Sequence, residues 1–337
     1  MKSVIADGHP RHPAGSSEQV PTGKLLRLIR AANARGGWLV PATLLVGLVV
    51  TAVVACYQKL DAEEQAKQVF DFVCNEVELR VEGRLREHEQ ILRSGAGFFA
   101  DENGVTREEW HEYAERQKLG QKLPGIQGLG FAKHVPRDQL TQLTQGVRAE
   151  GFPDFRVWPE GEREAYSSII FLEPFSGRNL RAFGYDMFSE PIRRAAMERA
   201  RDQDEVALSG KVFLVQETGQ DVQAGTLMYA PVYRMREPHE TVPERRAALL
   251  GWVYSPYRMN DLMKGILGGW ADREHVDLKI YDGEYPSPEA LLYRSGSGAG
   301  EEAAAQIRLT REIPIDSAGR RWLLSFAQRG GVDYSKA

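Results

Sequence analysis

The stretch from Gly36 to Gln58, GGWLVPATLLVGLVVTAVVACYQ, carries no charged side chain. About twenty apolar residues rising about 1.5 Å each cross the roughly 30 Å hydrocarbon core of a bilayer. A run of this kind places whatever precedes it and whatever follows it on opposite sides of a membrane. Trp38 and Tyr57 stand near its ends, where amphipathic rings favour the interface. Lys24, Arg27, Arg30 and Arg35 precede the run, whereas Lys59 is soon followed by Asp61, Glu63 and Glu64. The positive-inside bias predicts a cytoplasmic tail over residues 1–35 and a transmembrane helix over 36–58 in the inner (cell) membrane. Residues 59–337 then lie on the periplasmic or extracellular side. A cleaved signal peptide is the competing reading. The long basic arm, the full-length apolar run and the lack of a small-x-small cleavage site argue against it. The first residues, rich in Gly, Pro, Ser and His, read as a disordered tail.

Several function classes find no support. Basic and acidic residues are interleaved along the chain, and the net charge is only −4, so nothing points to nucleic acid. Cys56 and Cys74 offer neither a disulfide framework nor a zinc pattern. The histidines His9, His12, His88, His111, His134, His239 and His275 show no metal-ligand spacing. ALSGK lacks the upstream glycine of a phosphate-binding loop. No catalytic residue, metal site or cofactor is predicted, and the chain reads as a non-enzyme.

Residues 59–98 form a predicted stalk helix. Val69, Val73, Val77, Val81 and Leu85 recur every four residues, with Phe70 and Leu92 in the same stripe. Phe72 and Leu79 lie off it and suggest a second contact surface. The stripe's partner is either the same helix of a second chain or later parts of this one. Thr106 with Glu109 has the spacing of a capping box at a helix start. Strands are expected at Ile126–Val135 (after a Pro124–Gly125 turn), Phe155–Trp158, Tyr166–Leu172, Lys211–Gln216 and Leu227–Tyr233. Gly128 and Gly130 in the first of these suggest close backbone approach. A second group of strands begins near Arg246, after a charged segment with two prolines, and a GSGAG loop lies late within it. The fold class is α+β, with two mainly antiparallel sheets behind the long N-terminal helix.

GYDMFSEPIRRAAMERA, starting at Gly184, holds the strongest helix start. Ser189 reads as its N-cap, with Glu190 at the positive helix end and Pro191 in the first turn. Ile192, Ala195, Ala196 and Ala200 mark a small-residue face. Asp186, three residues before the cap, reads as a structural turn acid, with ligand contact as the alternative.

YSSIIFLEPFSGRNLRAFGYDMFSE, ALSGKVFLV and GTLMYAPVYR together resemble the CHASE domain, a sensory extracellular module associated with cyclases and histidine kinases. EWHEYAERQKLGQKLPGIQGLGFAKHV and ALLGWVYSPYRMNDLMKGIL extend the resemblance over roughly residues 75–330. It implies two PAS-like subdomains, a membrane-distal one at 99–245 that holds a small-molecule ligand and a membrane-proximal one at 246–337. Plant members bind cytokinins, so a cytokinin-like purine is one implied ligand. Ser209 stands where the plant pocket has Thr. The plant Asp falls at or beside Pro174, where Glu173 is the nearest acid. Ile170, Phe171, Glu173, Ser209, Phe213, Tyr229 and Tyr233 are expected to line one side of a single apolar pocket.

The resulting expectation is the sensory region of a membrane receptor, working as a homodimer and feeding a cytoplasmic histidine kinase or nucleotide cyclase. Such an output requires a second span. The chain reaches Ala337 without one, which reads as a fragment, or else as a one-span protein signalling through other subunits. The alternative is a membrane-anchored binding or scaffold protein without signalling output.

Overall fold

Helix α1 runs unbroken from Leu39 to Phe98, so the predicted span and stalk are one element. The computed structural model describes residues 38–99, 104–118, 125–268, 276–296 and 307–329. The tail expected over 1–35, Pro124 and most of GSGAG lie outside them. The chain divides into two compact units, residues 1–65 and 66–337. The first contains the start of α1, whose most apolar window has a mean hydropathy of 1.8 with none of it buried against protein. It is long and apolar enough to cross a membrane.

In the second unit α1 shows the expected stripe. Phe70, Val73, Val77, Val81, Leu85 and Leu92 are buried, joined by Cys74 and His88, while Val69 is exposed. The stripe packs on later parts of the same chain, in one core with Val253, Tyr257, Leu278 and Phe326. Phe72 and Leu79 stay exposed on the opposite side.

Helix α2 (Arg107–Gln117) begins with the expected capping box, Thr106 and Glu109 each bonding the other's amide. There follow β1 (Leu129–Pro136), α3 (Leu140–Ala149), β2 (Ala165–Glu173), α4 (Pro191–Gln203), β3 (Ala207–Leu208), β4 (Gly225–Tyr233), α5 (Val242–Ala248), β5 (Leu249–Arg258) and α6 (Met259–Leu267). The last four strands are β6 (Val276–Asp282), β7 (Leu291–Arg294), β8 (Ile307–Ser317) and β9 (Arg320–Arg329). They form two sheets, antiparallel throughout, in the orders β2-β1-β5-β4-β3 and β7-β6-β9-β8.

Three expectations need correction. The strand expected to open the second subdomain after residue 246 is β5, which sits at the centre of the first sheet between β1 and β4. Its alternating pattern gives a strand but not its partners, and β5 finds them in segments far back in the chain. Phe155–Trp158 and Lys211–Gln216 are not strands; each contributes one isolated bridge, Trp158 to Tyr185 and Val212 to Gly225. The cap of α4 is Glu190, whose carboxylate accepts from the Ile192 and Arg193 amides at 3.0 and 2.9 Å. A 3-10 turn, Met187–Ser189, intervenes, and Ser189 Oγ turns back to donate to the Asp186 carbonyl. The inward face of α4 also differs from the expected one, since Ala195 is exposed. Arg193, Ala196, Met197 and Ala200 face inward, and Ile192 faces solvent.

A β-bulge decides which residues of β2 share a face. Phe131 pairs with Phe171 and Ala132 with Ile169, leaving Ile170 as the extra residue. The extra residue breaks strict alternation, so Ile170 and Phe171 both join the core on the α1 side of the sheet. Ile169 and Leu172 join the core on the α4 side.

Candidate ligand-binding site

The α4 side of the first sheet holds an unusual concentration of buried polar groups. Tyr229 on β4 and Tyr254 on β5 are direct cross-strand partners, with ring centroids 6.3 Å apart. Both are fully buried, and neither hydroxyl has a hydrogen-bond partner among the described residues. Gly130 on β1 makes room for the second ring. A Cβ there would lie 2.6 Å from both the Tyr254 ring and the Phe171 carbonyl oxygen. Burial pushes both phenols' pKa values upward, so they stay neutral donors.

Arg193 reaches this cluster from the first turn of α4. Its Nη1 donates to the Tyr185 hydroxyl and its Nη2 to the Phe213 carbonyl, each at 2.8 Å, and Nε has no partner among the described residues. The guanidinium lies over the Tyr185 ring, 5.1 Å from its centroid. A buried charge held by neutral acceptors alone is costly to desolvate.

Asp186 closes the other end. Its Oδ1 accepts from the Ser167 amide at 2.7 Å and the Phe188 amide at 3.1 Å, and Oδ2 forms an ion pair with Arg163 at 3.2 Å. Burial raises its pKa against the pull of those amides and of Arg163. The carboxylate therefore ties β2 to the 3-10 turn. Neighbouring Ser167 and Ser168 hydroxyls are buried without partners among the described residues.

The predicted wall of seven residues is divided. Tyr229 lies in the polar cluster, and Tyr233, at the far end of β4, donates to the Arg201 carbonyl at 2.7 Å. Ile170 and Phe171 lie on the opposite face of the sheet because of the bulge. Ser209 Oγ donates to the Gly210 carbonyl and accepts from the Leu227 amide, at 2.8 and 2.9 Å, so its bonds are used within the backbone. Glu173 accepts from the Phe175 amide and pairs with His111, both at 3.1 Å, which raises the His111 pKa through that hydrogen bond. The Phe213 side chain is 64% exposed, and only its carbonyl reaches the cluster. A single wall would need strict alternation in β2 and a strand at 211–216, and neither exists. Arg193 and Tyr254 were not among the expected residues. Both had a signal: Arg193 is a charge on the face that carries Ala196 and Ala200, and Tyr254 follows Trp252 at strand spacing.

The sequence pattern of the CHASE domain matches residues 103–293, more than half of the chain. The chain belongs to the CHASE domain family. The match is narrower than the resemblance read from the sequence, leaving β8 and β9 beyond it. A hybrid signal transduction histidine kinase A from Dictyostelium discoideum is 24% identical to the CHASE chain over 227 residues, 60% of this chain and 10% of that protein. The chain thus spans about a tenth of that relative's length. Among solved structures, an extracellular ligand binding receptor from Desulfohalobium retbaense aligns with a TM-score of 0.47 and 10% identity, over 77% of this chain and 40% of that one. The periplasmic sensory domain of the Campylobacter jejuni chemoreceptor Tlp1 aligns at 0.44 and 7% identity, covering 76% and 92%. The ligand binding domain of the Pseudomonas aeruginosa amino acid chemoreceptor PctC, in complex with GABA, aligns at 0.40 and 13% identity, covering 79% and 99%.

Proposed function

We propose that this CHASE domain is the extracytoplasmic sensory region of a membrane receptor, and that its ligand binds between the first sheet and α4. The observation that carries the reading is the pair of Tyr229 and Tyr254 hydroxyls, buried without partners beside the Arg193 guanidinium. Buried polar groups are nearly always bonded, and an unbonded one costs about 1–3 kcal/mol. A ligand carrying a carboxylate or another compact acceptor would take up all three groups. An amino acid suits the site better than a cytokinin-like purine, since the offered groups are donors and the nearby acids are committed, Asp186 to amides and Arg163, and Glu190 to the first amides of α4. Admission requires α4 or the 3-10 turn to move off the sheet. That movement is the signal, provided the ligand favours one arrangement over the other. The pairing of α1 with both sheets carries it toward the membrane, where a homodimer joined through the exposed Phe72–Leu79 side of α1 passes it to a cytoplasmic kinase or cyclase.

Tyr229→Phe tests the site. It removes only the partnerless hydroxyl, so thermal stability is expected to hold or rise. A saturating ligand at 100 times its dissociation constant stabilises the wild type by about 2.7 kcal/mol. Amino acids, purines and carboxylates are screened by melting of the full chain in detergent. The shift from any hit is expected to shrink in Tyr229→Phe and Tyr254→Phe. If Tyr229→Phe is markedly destabilised without ligand, the hydroxyl is already bonded and the site reading is lost.

The membrane arrangement has its own check. A reporter active only outside the cytoplasm, fused after residue 118, is expected to be active. Activity there from a reporter confined to the cytoplasm would reverse the orientation.

A further inference from the structure

The opposite face of the first sheet carries a second opening, separate from the polar cluster. A cleft of about 410 Å³ is lined by Phe99, Phe131, Ile170, Phe171 and Leu250, with Val105 at one side. Lys133, Arg234, Met235 and Glu237 stand at its mouth. Its volume lies within the range of sites that hold small organic molecules. The floor is aromatic. Phe99 stacks on Phe131 with centroids 4.1 Å apart and an interplanar angle of 21°, and Phe171 lies 6.2 Å from Phe99. The bulge in β2 builds this floor by turning Ile170 and Phe171 to the same side. Arg107 braces it from behind, donating to the Ile170 carbonyl at 2.7 Å with its guanidinium 5.1 Å from the Phe171 ring centroid.

The mouth is unbalanced in charge. Arg234 Nη1 donates to the Ala247 carbonyl at 2.8 Å and approaches Glu237 at 3.4 Å, so these two charges face each other. Lys133 projects from β1 on the same face as Phe131, and its ammonium pairs with no described residue. An apolar slot edged by a cation that no described residue pairs with is complementary to an anion with a flat apolar body.

We propose that this cleft is a second ligand site, selective for small aromatic carboxylates, with the ring on the phenylalanine floor and the carboxylate at Lys133. Phe99 directly follows the last residue of α1, and Phe98 stacks on Tyr113 of α2 at 4.9 Å. An occupant of the cleft therefore fixes the end of the helix whose stripe packs under both sheets. The site gives the receptor an input independent of the α4 side.

The probe is 2-naphthoate, titrated calorimetrically into the full chain in detergent, with neutral 2-naphthamide as its partner. Val105→Trp fills the cleft from a loop, and Lys133→Glu reverses an exposed charge; melting confirms that both variants fold. The same detergent without protein supplies the micelle background. Naphthoate is expected to bind the wild type, about tenfold more weakly in Val105→Trp and in Lys133→Glu. Naphthamide is expected to bind more weakly than naphthoate, and Tyr229→Phe to leave naphthoate binding unchanged. Equal titrations of wild type and Val105→Trp overturn the site, as does absence of binding. Equal affinity for naphthoate and naphthamide, or an unaltered Lys133→Glu, overturns the carboxylate selectivity. Loss of naphthoate binding in Tyr229→Phe assigns the probe to the α4 side and also overturns the proposal, while leaving the sensory reading standing.

Discussion

Replacing Arg258 by methionine is expected to cost the CHASE domain about 3 kcal/mol, at the lower end of what removing one partner of a buried ion pair costs. Arg258 is the last residue of β5. Its Nε donates to Glu217 at 2.8 Å, and its Nη2 donates to the Asp221 carbonyl at 2.6 Å and carboxylate at 3.0 Å. Its Nη1 donates to Asp261. Burial works against the charge, yet these carboxylates outweigh it and raise the guanidinium pKa. Not all the pairs weigh equally. The Asp221 and Asp261 side chains are 70% and 44% exposed, and solvent-screened pairs of that kind contribute about 0–1 kcal/mol each. Glu217 is only 8% exposed, and without Arg258 its remaining basic partner among the described residues is Arg178 at 3.9 Å. The loss therefore rests on stranding Glu217. Urea unfolding of Arg258→Met measures it, and the double variant Arg258→Met with Glu217→Leu is expected to recover most of it. Failure of the second change to rescue would show that the arginine acts through packing instead.

Acidification from pH 7 to pH 5 is expected to destabilise the wild type by about 2 kcal/mol through His88 alone. The ring sits in α1 with both nitrogens buried and without partners among the described residues, stacked on Tyr257 at 5.1 Å and 5°. Burial, reinforced by Arg84 nearby, pushes its pKa down to about 3. Folding thus holds the ring neutral where the unfolded chain, with a pKa near 6.5, takes up a proton. In that window the unfolded state binds more protons, so stability falls as pH falls, by about 1.4 kcal/mol per unit once below 6.5. His88→Phe keeps an aromatic ring against Tyr257 and removes the titration, and the comparison of slopes with pH is independent of any constant packing cost of the larger ring. Chemical unfolding of both proteins across this range isolates the effect, because His134, half-buried and lowered to about 4 by desolvation, contributes to each alike. Parallel pH profiles for the two proteins would refute the assignment.

The parts of this protein legible in its sequence are those set by residues close together in the chain. The apolar run shows itself because a span needs only length and absence of charge. The α1 stripe shows itself because a helix returns to one face every three or four residues. The Thr106–Glu109 box works wholly within one turn, so it reads the same in the sequence and in the fold. Even so, near α4 local chemistry misled by one residue. Ser189 and Glu190 are both capable caps, and only the 3-10 turn pinned by Asp186 decides that Glu190 serves.

Tertiary structure decided what depends on pairing. β5 belongs to the first sheet because residues 129–136 and 225–233 flank it, and nothing inside its own pattern names those neighbours. The bulge at Ile170 arises from register against β1, and that one residue sends Ile170 and Phe171 to the α1 face while Tyr229 stays on the α4 face. The expected single pocket is divided for that reason. Arg193, Tyr229 and Tyr254 come together from a helix and two strands, and their burial exists only once that helix lies across that sheet. A side chain's local period is written in its neighbours along the chain, whereas its partners across a sheet are set by backbone hydrogen bonds between distant segments.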